Sequence, residues 1–182
     1  SVITVVRNNA DTIADTLRSI AVQTHPDIEH IVIDGASTDG TLEIVKRLGT
    51  RVAKILSEPD HGIYDAMNKG IALATGDVIG FLNADDVYAN DGVLTQVAQV
   101  MGDSSTDACY ADLVYVDRKD TDRIVRYWKS RPYEAGLFEK GWLPAHPTFY
   151  ARRRVYERYG GFDTSFRIQS DFELAMRFLH IH

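Results

Sequence analysis

Four short segments rich in aliphatic and β-branched residues recur through the first half of the chain, and helical patterns separate them. The segments cover residues 2–6, 30–34, 51–57 and 78–82. Runs of this length and composition are typical of strands that are buried on both faces of a parallel sheet. Between them, apolar residues recur at spacings of three and four, as on one side of an amphipathic helix. The alternation predicts an α/β protein with a mostly parallel, Rossmann-like sheet flanked by helices.

The second half of the chain has a less regular pattern than the first. Its stretch of aromatic residues and glycines, residues 130–142, is predicted to be a loop at a functional site rather than part of the core. The other predicted elements are strands at 108–117 and 124–128, an extended segment at 146–150, a helix at 152–159 and a last helix that begins at 170. A chain of 182 residues suits one domain, and we expect residues 1–182 to form one.

The charge balance and the single cysteine exclude several classes of protein. With 20 basic and 26 acidic residues the net charge is -6, whereas proteins that hold nucleic acid by its phosphates need a basic face. Cys109 alone cannot form an internal disulfide or a multi-cysteine zinc site, so we expect an inert buried thiol in a reducing compartment. No apolar run approaches the roughly 20 residues that span a bilayer.

The chain begins at Ser1 without Met, directly in a predicted strand, and ends at His182 shortly after a helical pattern. We therefore expect it to be a piece of a longer protein, truncated at its C-terminal end. The missing part would carry a membrane helix or more of a binding site.

Three carboxylates lie where two of the predicted strands end. Asp34 ends the second strand, and Asp85 and Asp86 follow the fourth. In open parallel sheets ligands bind beyond this edge, which we call the carboxyl edge. Adjacent carboxylates repel each other, and Mg²⁺ or Mn²⁺ with phosphate oxygens would relieve the repulsion; the alternative is an exposed turn that caps a helix. Asp34 would accept hydrogen bonds from a base or ribose, or would cap its own loop.

The segment 62–70 combines a glycine with three polar residues at the start of a predicted helix. Gly62 allows the backbone to approach a ligand closely, and Asp65, Asn68 and Lys69 lie within one turn of each other. Lys69 would face a diphosphate group from this position. The alternative is that these residues form the solvated face of an amphipathic helix.

Two further candidates lie in the second half of the chain. His146 precedes a predicted extended segment, so its ring would point toward the carboxyl edge. The alternative is a histidine that makes only structural hydrogen bonds. Asp171 opens the last predicted helix, where a carboxylate is also expected as a cap or as a complement to the helix dipole.

Ten segments with recognisable motifs stand in a fixed order over nearly the whole chain. They are residues 3–6, 8–13, 23–26, 33–41, 58–70, 74–77, 81–86, 146–148, 160–163 and 170–174. Each segment alone is weak, but the combined order is specific. In this order they resemble the family 2 glycosyltransferases of the GT-A fold, and closely resemble the bacterial branch that builds extracellular and surface polysaccharides.

The resemblance implies that residues 1–100 bind a nucleoside-diphosphate sugar and that residues 101–182 bind the acceptor. It implies that Asp85 and Asp86 form the DxD-type motif, with Asp86 as the ligand of Mg²⁺ or Mn²⁺, and that Asp171 is the general base. The candidate contacts of the nucleotide sugar are Val6, Asp34, Asp65, Asn68, Lys69 and Asp85, and the candidates on the acceptor side are Trp142 and His146.

The sequence departs from the family pattern at three places. Gly35 follows Asp34 where a second Asp is usual, so that base recognition would rest partly on the backbone. Ser170 precedes Asp171 where the family has an acidic residue. Residues 5–8 replace a frequent Pro-Thr-Tyr-Asn turn.

The resemblance further implies an inverting transfer of the sugar to a hydroxyl of a saccharide or a lipid-linked saccharide, in polysaccharide biosynthesis. It implies a cytoplasmic location, with peripheral association at the inner face of the membrane, and no nucleic-acid partner. Two alternatives stay open: a metal-dependent phosphohydrolase or phosphotransferase, and a non-catalytic module that binds a nucleotide sugar. One common form of the phosphohydrolase needs Asp-x-Asp after the first strand, where this chain has Val6, Arg7 and Asn8.

Overall fold

A computed structural model describes the backbone of residues 1–180 and the side chains of residues 1–179. The strands are β1 (Val2–Val6), β2 (His30–Asp34), β3 (Val52–Ser57), β4 (Val78–Phe81), β5 (Ala108–Cys109), β6 (Leu113–Val116), β7 (Ile124–Trp128) and β8 (Tyr150–Arg152). The α-helices are α1 (Ile13–Ala21), α2 (Thr41–Leu48), α3 (Ile63–Leu73), α4 (Val93–Val100), α5 (Arg153–Tyr159) and α6 (Ser170–His180), and short 3-10 helices cover Phe138–Lys140 and His146–Thr148. No helix in this part of the chain is both long and apolar enough to cross a membrane.

Six strands form one mostly parallel sheet in the order β3-β2-β1-β4-β8-β5. β1 pairs in parallel with β2 and β4, and β2 pairs in parallel with β3. β8 runs antiparallel to both of its neighbours, β4 and β5. The prediction of a mostly parallel sheet flanked by helices is therefore confirmed. Since β1 to β4 point the same way, the residues that follow them meet at the carboxyl edge.

The sheet is buried between two layers of helices. β1 and β2 are buried over their whole length, as their β-branched sequences predict, whereas β3 alternates between half-buried and exposed residues at the edge of the sheet. On one face, Ile3 and Ile33 pack with Met67 of α3 and Phe178 of α6. On the other face, Val32 packs with residues of α1 and α2. The two layers fix the helix ends that surround the carboxyl edge.

Two predicted elements of the second half differ in the structure. The single strand predicted at 108–117 is interrupted: Ala108–Cys109 belongs to the main sheet, whereas Leu113–Val116 pairs only with β7. At the break, the backbone of Ala111 bonds to the Thr148 hydroxyl, which takes this residue out of the strand ladder. The extended segment predicted at 146–150 begins instead as a 3-10 helix and becomes a strand only at Tyr150.

Two predictions about burial are also corrected. The stretch 130–142 is not wholly a surface loop, because Leu137 and Phe138 are buried and anchor it to the rest of the chain. Cys109 is half-buried rather than buried, and its partial burial raises the pKa of the thiol to about 11. The thiol is therefore protonated at neutral pH, as expected for an unreactive cysteine.

Candidate active site

A cavity of about 270 Å³ opens at the carboxyl edge, beside the end of β1. Val6 and Arg7 line it from β1, and Asp60, Gly62 and Ile63 line it from the loop that leads into α3. Gly62 has φ 127°, and no atom lies within 4 Å of the position that a Cβ would take. We call this cavity the cleft, and Val6, a predicted contact of the nucleotide sugar, lines it. A larger cavity, of about 370 Å³, lies at the opposite edge, beyond the amino ends of β1 and β4.

Asp34 is completely buried at the end of β2, and its carboxylate serves the loop that follows. The Ser57 hydroxyl donates to it at 2.6 Å, and the Ser37 backbone N–H donates to both carboxylate oxygens at 3.2 and 3.3 Å. These bonds match the interpretation of Asp34 as a loop cap. Its contact with a nucleotide base stays a prediction.

The turn after β4 holds the two adjacent carboxylates of the predicted metal site. Asp85 is exposed, whereas Asp86 is half-buried. Burial, and to a smaller extent the charge of Asp85, raises the pKa of Asp86 from 3.8 to about 6. The Asp86 N–H donates to the Asn83 carbonyl at 3.0 Å, and the Thr16 hydroxyl of α1 donates to the Asp86 carbonyl at 2.8 Å. The backbone of the turn is therefore fixed, and the carboxylate carries a charge that its surroundings do not neutralise.

The donor set around Asp86 suits a hard divalent cation. In the same turn, Asn83 has a buried side-chain oxygen without a hydrogen-bond partner among the described residues. Oxygen ligands and uncompensated negative charge are what Mg²⁺ and Mn²⁺ require. Within residues 1–179, however, no three His, Cys, Asp or Glu side chains are grouped closely enough to hold a metal by themselves. A cation bound by Asp86 would therefore need further oxygen ligands from a substrate.

Lys69 is surrounded by three carboxylates. Its ammonium nitrogen lies 2.7 Å from Asp60, 2.9 Å from Glu58 and 3.4 Å from Asp65. The hydrogen bonds with Asp60 and Glu58 raise the pKa of the lysine. Since Asp60 also lines the cleft, Lys69 ties the cleft wall to α3. Its contact with a diphosphate stays a prediction.

The two other polar residues of the α3 motif also make contacts within the protein. The Asp65 carboxylate accepts the His61 backbone N–H at 3.0 Å, and this hydrogen bond lowers the pKa of Asp65. The Asn68 amide donates to the Phe162 carbonyl and accepts from the Phe162 N–H, both at 2.8 Å. Asn68 therefore joins the first half of the chain to the second.

Asp171, in the first turn of α6, lies at the carboxyl edge beside the start of α3. The Tyr64 hydroxyl donates to its carboxylate at 3.1 Å. His146 is also near, since the charge of Asp171 opposes the larger effect of burial, which lowers the pKa of the imidazole. The preceding hydroxyl, Ser170 Oγ, is buried and has no hydrogen-bond partner in the described part of the chain.

The two acceptor-side candidates occupy different environments. The His146 ring packs against Phe81, with ring centres 5.7 Å apart, and its Nε2 is buried without a hydrogen-bond partner among residues 1–179. Trp142 belongs to an aromatic cluster with Phe138, at 5.7 Å, and Phe138 in turn contacts Phe172 at 5.5 Å. Trp142 is therefore separated from the start of α6 by one aromatic ring.

The sequence did not identify two residues that connect these groups. Tyr64 contacts Asp171, and Phe162 packs against both Tyr64 and His146, with ring centres 5.5 and 5.8 Å apart. Both residues belong to motifs that the sequence marks, at 62–70 and 160–163. The sequence alone does not mark their aromatic side chains as site residues, because hydrophobic positions are usually explained by the core.

Comparisons with known proteins show the family to which the chain belongs. The chain matches Glycosyl transferase family 2 over residues 1–168. A "PGL/p-HBAD biosynthesis glycosyltransferase" of Mycobacterium bovis is 33% identical over 97% of this chain and 68% of the relative. A "Putative teichuronic acid biosynthesis glycosyltransferase TuaG" of Bacillus subtilis is 31% identical over 75% of this chain and 56% of the relative.

Solved structures share the fold. S. aureus TarS 1-349 in complex with UDP-GlcNAc aligns with a TM-score of 0.75 at 20% identity, over 97% of this chain and 52% of that one. Mannosyltransferase PcManGT from Pyrobaculum calidifontis, in complex with GDP-Man and Mn²⁺, aligns with a TM-score of 0.72 at 24% identity, over 96% and 51%. The chain thus spans about half the length of these structures. On this evidence the chain belongs to glycosyl transferase family 2 and has the GT-A fold.

Proposed function

We propose that this chain transfers a sugar, with inversion, from a nucleoside-diphosphate sugar to a hydroxyl of a saccharide or lipid-linked saccharide, in polysaccharide biosynthesis. The observation that carries the proposal is that Asp86 follows β4 and Asp171 lies beside the start of α3, both at the carboxyl edge of a family 2 fold. One carboxylate follows β4 and the other begins α6, so they are fixed by different elements. The reaction needs two such groups, one beside the leaving diphosphate and one beside the acceptor hydroxyl.

The donor would bind along the cleft between β1 and α3. Val6 and Asp34 would contact the nucleoside, and the motif of Asp65, Asn68 and Lys69 would form the cleft wall that holds the diphosphate. Asp86 would hold Mg²⁺ or Mn²⁺, with Asp85 adding negative charge and the diphosphate completing the ligand shell. When bound, the cation supplies stabilisation of the charge that develops on the leaving diphosphate. The solved relative with GDP-Man and Mn²⁺ supports this assignment.

Asp171 would act as the general base. Its carboxylate accepts the proton of the acceptor hydroxyl while the oxygen attacks the anomeric carbon. The bond from that carbon to the diphosphate breaks, and the electron pair leaves with the diphosphate. Attack from the opposite side inverts the anomeric configuration. Trp142 would shape the acceptor site, because flat aromatic faces suit sugar rings, and His146 would contact the acceptor beside Asp171.

The proposal extends to domain organisation and location. Residues 1–182 would form one domain, with donor binding in 1–100 and acceptor binding in 101–182. The domain would act in the cytoplasm, at the inner face of the membrane, where a lipid-linked acceptor is presented. The relatives named for glycan biosynthesis support an acceptor of this kind.

Asp171→Asn tests the function, because it keeps the size of the side chain and removes the base. We expect a loss of rate of about 10²–10⁴-fold, the usual contribution of a general base, with nearly unchanged donor binding. Transfer would be measured with UDP-, GDP- and dTDP-sugars in the presence of Mn²⁺, and donor binding by thermal stabilisation. The product of the unmodified protein would have the anomeric configuration opposite to that of the donor, as read by NMR.

Three outcomes would contradict the proposal. A fully active Asp171→Asn would mean that the carboxylate only caps α6. A product with the donor's configuration would exclude direct inversion. Release of free sugar or phosphate, without transfer to any acceptor, would favour a hydrolase.

A further inference from the structure

Tyr64 and Asn68 lie four residues apart on α3, and both reach into the second half of the chain. Asn68 holds the Phe162 backbone by two hydrogen bonds of 2.8 Å. The Phe162 ring stacks on the Tyr64 ring, with centres 5.5 Å apart and planes inclined by 20°. The Tyr64 hydroxyl then donates to Asp171 at 3.1 Å. A continuous set of contacts therefore runs from α3 to the carboxylate at the start of α6.

The same turn of α3 forms part of the cleft wall. Ile63 and Ala66 line the cavity beside β1, on either side of Tyr64 in the sequence. A helix that is rigidly packed against the sheet, through Ala66 and Met67, thus contacts both the cleft and Asp171. The distance between the cleft and Asp171 is fixed by one turn of α3 rather than by a flexible loop.

Little space is left for a side chain at Gly161, which precedes Phe162 in the loop after α5. A Cβ at Gly161 would lie 2.3 Å from the Asn68 side-chain oxygen, so that only glycine allows the loop to approach α3 this closely. The approach brings Phe162 against Tyr64. The glycine of the 160–163 motif therefore serves the same set of contacts.

We propose that Tyr64 is a positioning residue, which holds the Asp171 carboxylate in a fixed orientation relative to the cleft through its hydroxyl. The inference rests on the proposed function, in which Asp171 is the general base. A hydrogen bond donated to a carboxylate restricts rotation of the group. The restriction holds the base in an orientation in which it accepts a proton from a defined direction.

A second ionisable group close to Asp171 is His146, in the 3-10 helix at 146–148. It interacts with the carboxylate electrostatically, and burial lowers the pKa of that imidazole. On α6 itself, Glu173 is engaged by Arg177 at 2.7 Å. Tyr64 is accordingly the group whose removal most directly changes the environment of the Asp171 carboxylate.

Tyr64→Phe tests the inference, because it removes the hydroxyl and retains the ring that stacks on Phe162. The ¹³C resonance of the Asp171 carboxyl would be recorded by NMR, with Asp171→Asn identifying it. We expect this resonance to move in Tyr64→Phe, since the carboxylate loses a hydrogen-bond donor. In the transfer assay, kcat should fall about 10-fold and the donor KM should stay within about 2-fold.

Tyr127→Phe is the matched control, because Tyr127 also donates to an aspartate, Asp112, at 2.7 Å but lies on the exposed strand β7. It should leave the Asp171 resonance and kcat unchanged. An Asp171 resonance in Tyr64→Phe that is identical to that of the unmodified protein would overturn the inference. Absence of any transfer by the unmodified protein would contradict the proposed function instead, and the Asp171 resonance would still decide whether Tyr64 holds the carboxylate.

Discussion

Asp86 is less stable as an anion in the folded chain than in the unfolded chain. Its pKa rises from 3.8 to about 6, chiefly through burial and then through Asp85. A carboxyl group whose pKa is raised by folding does not destabilise the fold at low pH, where it is protonated in both states. As the pH rises from about 4 through about 6, the group ionises at a cost to the folded state, and the free energy of unfolding falls. A bound cation would offset the loss, because it interacts with the ionised form only.

We therefore expect Asp86→Asn to stabilise the metal-free protein at pH 7 by about 3 kcal/mol and to have little effect near pH 4, since a pKa unit corresponds to about 1.4 kcal/mol. Denaturant unfolding in EDTA over a pH series would measure this. Mn²⁺ added together with a nucleoside diphosphate, which supplies the further oxygen ligands, should stabilise the unmodified protein increasingly above pH 6 and should stabilise Asp86→Asn less.

Asp85→Asn is the control for this prediction. It should give a smaller effect with the same pH dependence, because the Asp85 charge is the lesser cause of the shift. Two results would contradict the assignment of Asp86 as the metal ligand. The free energy of unfolding of Asp86→Asn would depend on pH as that of the unmodified protein does, or Mn²⁺ with the nucleoside diphosphate would stabilise Asp86→Asn and the unmodified protein equally.

At the scale of residues, the sequence indicated which polar groups matter better than it indicated what they contact. The carboxyl-edge positions of Asp34 and Asp86 followed from the strand pattern alone, because parallel strands end at one edge. The partner of Asn68, by contrast, is 94 residues away, and that of Tyr64 is 107 residues away. Local spacing carries no information on such contacts, so for Asn68 it predicts only a ligand contact or a solvated residue.

At the scale of elements, α3 depends on Asn68 for its attachment to the loop after α5. Replacing Asn68 by Ala leaves both the N–H and the carbonyl of Phe162 without these partners, and Phe162 is only 4% exposed. We expect a loss of about 2 kcal/mol in the free energy of unfolding, because buried polar groups that lose their partners cost about 1–3 kcal/mol. Denaturant unfolding would measure the loss.

The matched control is Asn90→Ala. Asn90 also accepts a backbone N–H, that of Gly92 at 2.9 Å, but does so in an exposed turn where water can replace it. Its substitution should change the free energy of unfolding by less than about 0.5 kcal/mol. Equal losses for the two variants would mean that the contact with Phe162 adds nothing beyond a surface turn.

The elements that sequence predicted well are those whose pattern reflects burial. The strands predicted at 2–6 and 30–34 match the structure because a continuous run of β-branched residues is typical of a strand buried in the middle of a parallel sheet. The strand predicted at 108–117 failed for the opposite reason. Its apolar pattern continues across Ala111, and the bond to Thr148 that breaks it comes from a residue 37 positions away.

At the scale of the whole molecule, several connections join the first and second halves, of which three bear on the site. β8 pairs with β4 in the main sheet, Asn68 holds Phe162, and Tyr64 holds Asp171. The core cluster that contains β1 also includes side chains of α5 and α6. The two halves share one hydrophobic core, which supports the proposal of a single domain.

We expect the halves to unfold together. Both tryptophans, Trp128 and Trp142, lie in the second half, whereas four of the six described α-helices lie in the first. Tryptophan fluorescence and far-UV circular dichroism therefore report on different parts of the chain. Denaturant midpoints from the two probes should coincide, as in a two-state transition. Separate midpoints would show that residues 1–100 and 101–182 form independent units.

The pairing of β5 with β8 has a consequence for how such chains diversify. These neighbouring strands close a loop of residues 110–149, which carries the β6–β7 hairpin and the aromatic cluster around Trp142. The entropy of closing a loop grows only with the logarithm of its length, by about 0.6 kcal/mol for each doubling. Changes in the length of this loop therefore cost the sheet little stability. Under the proposed function, exchange of this one segment would change the acceptor site and leave the donor-binding residues 1–100 as they are.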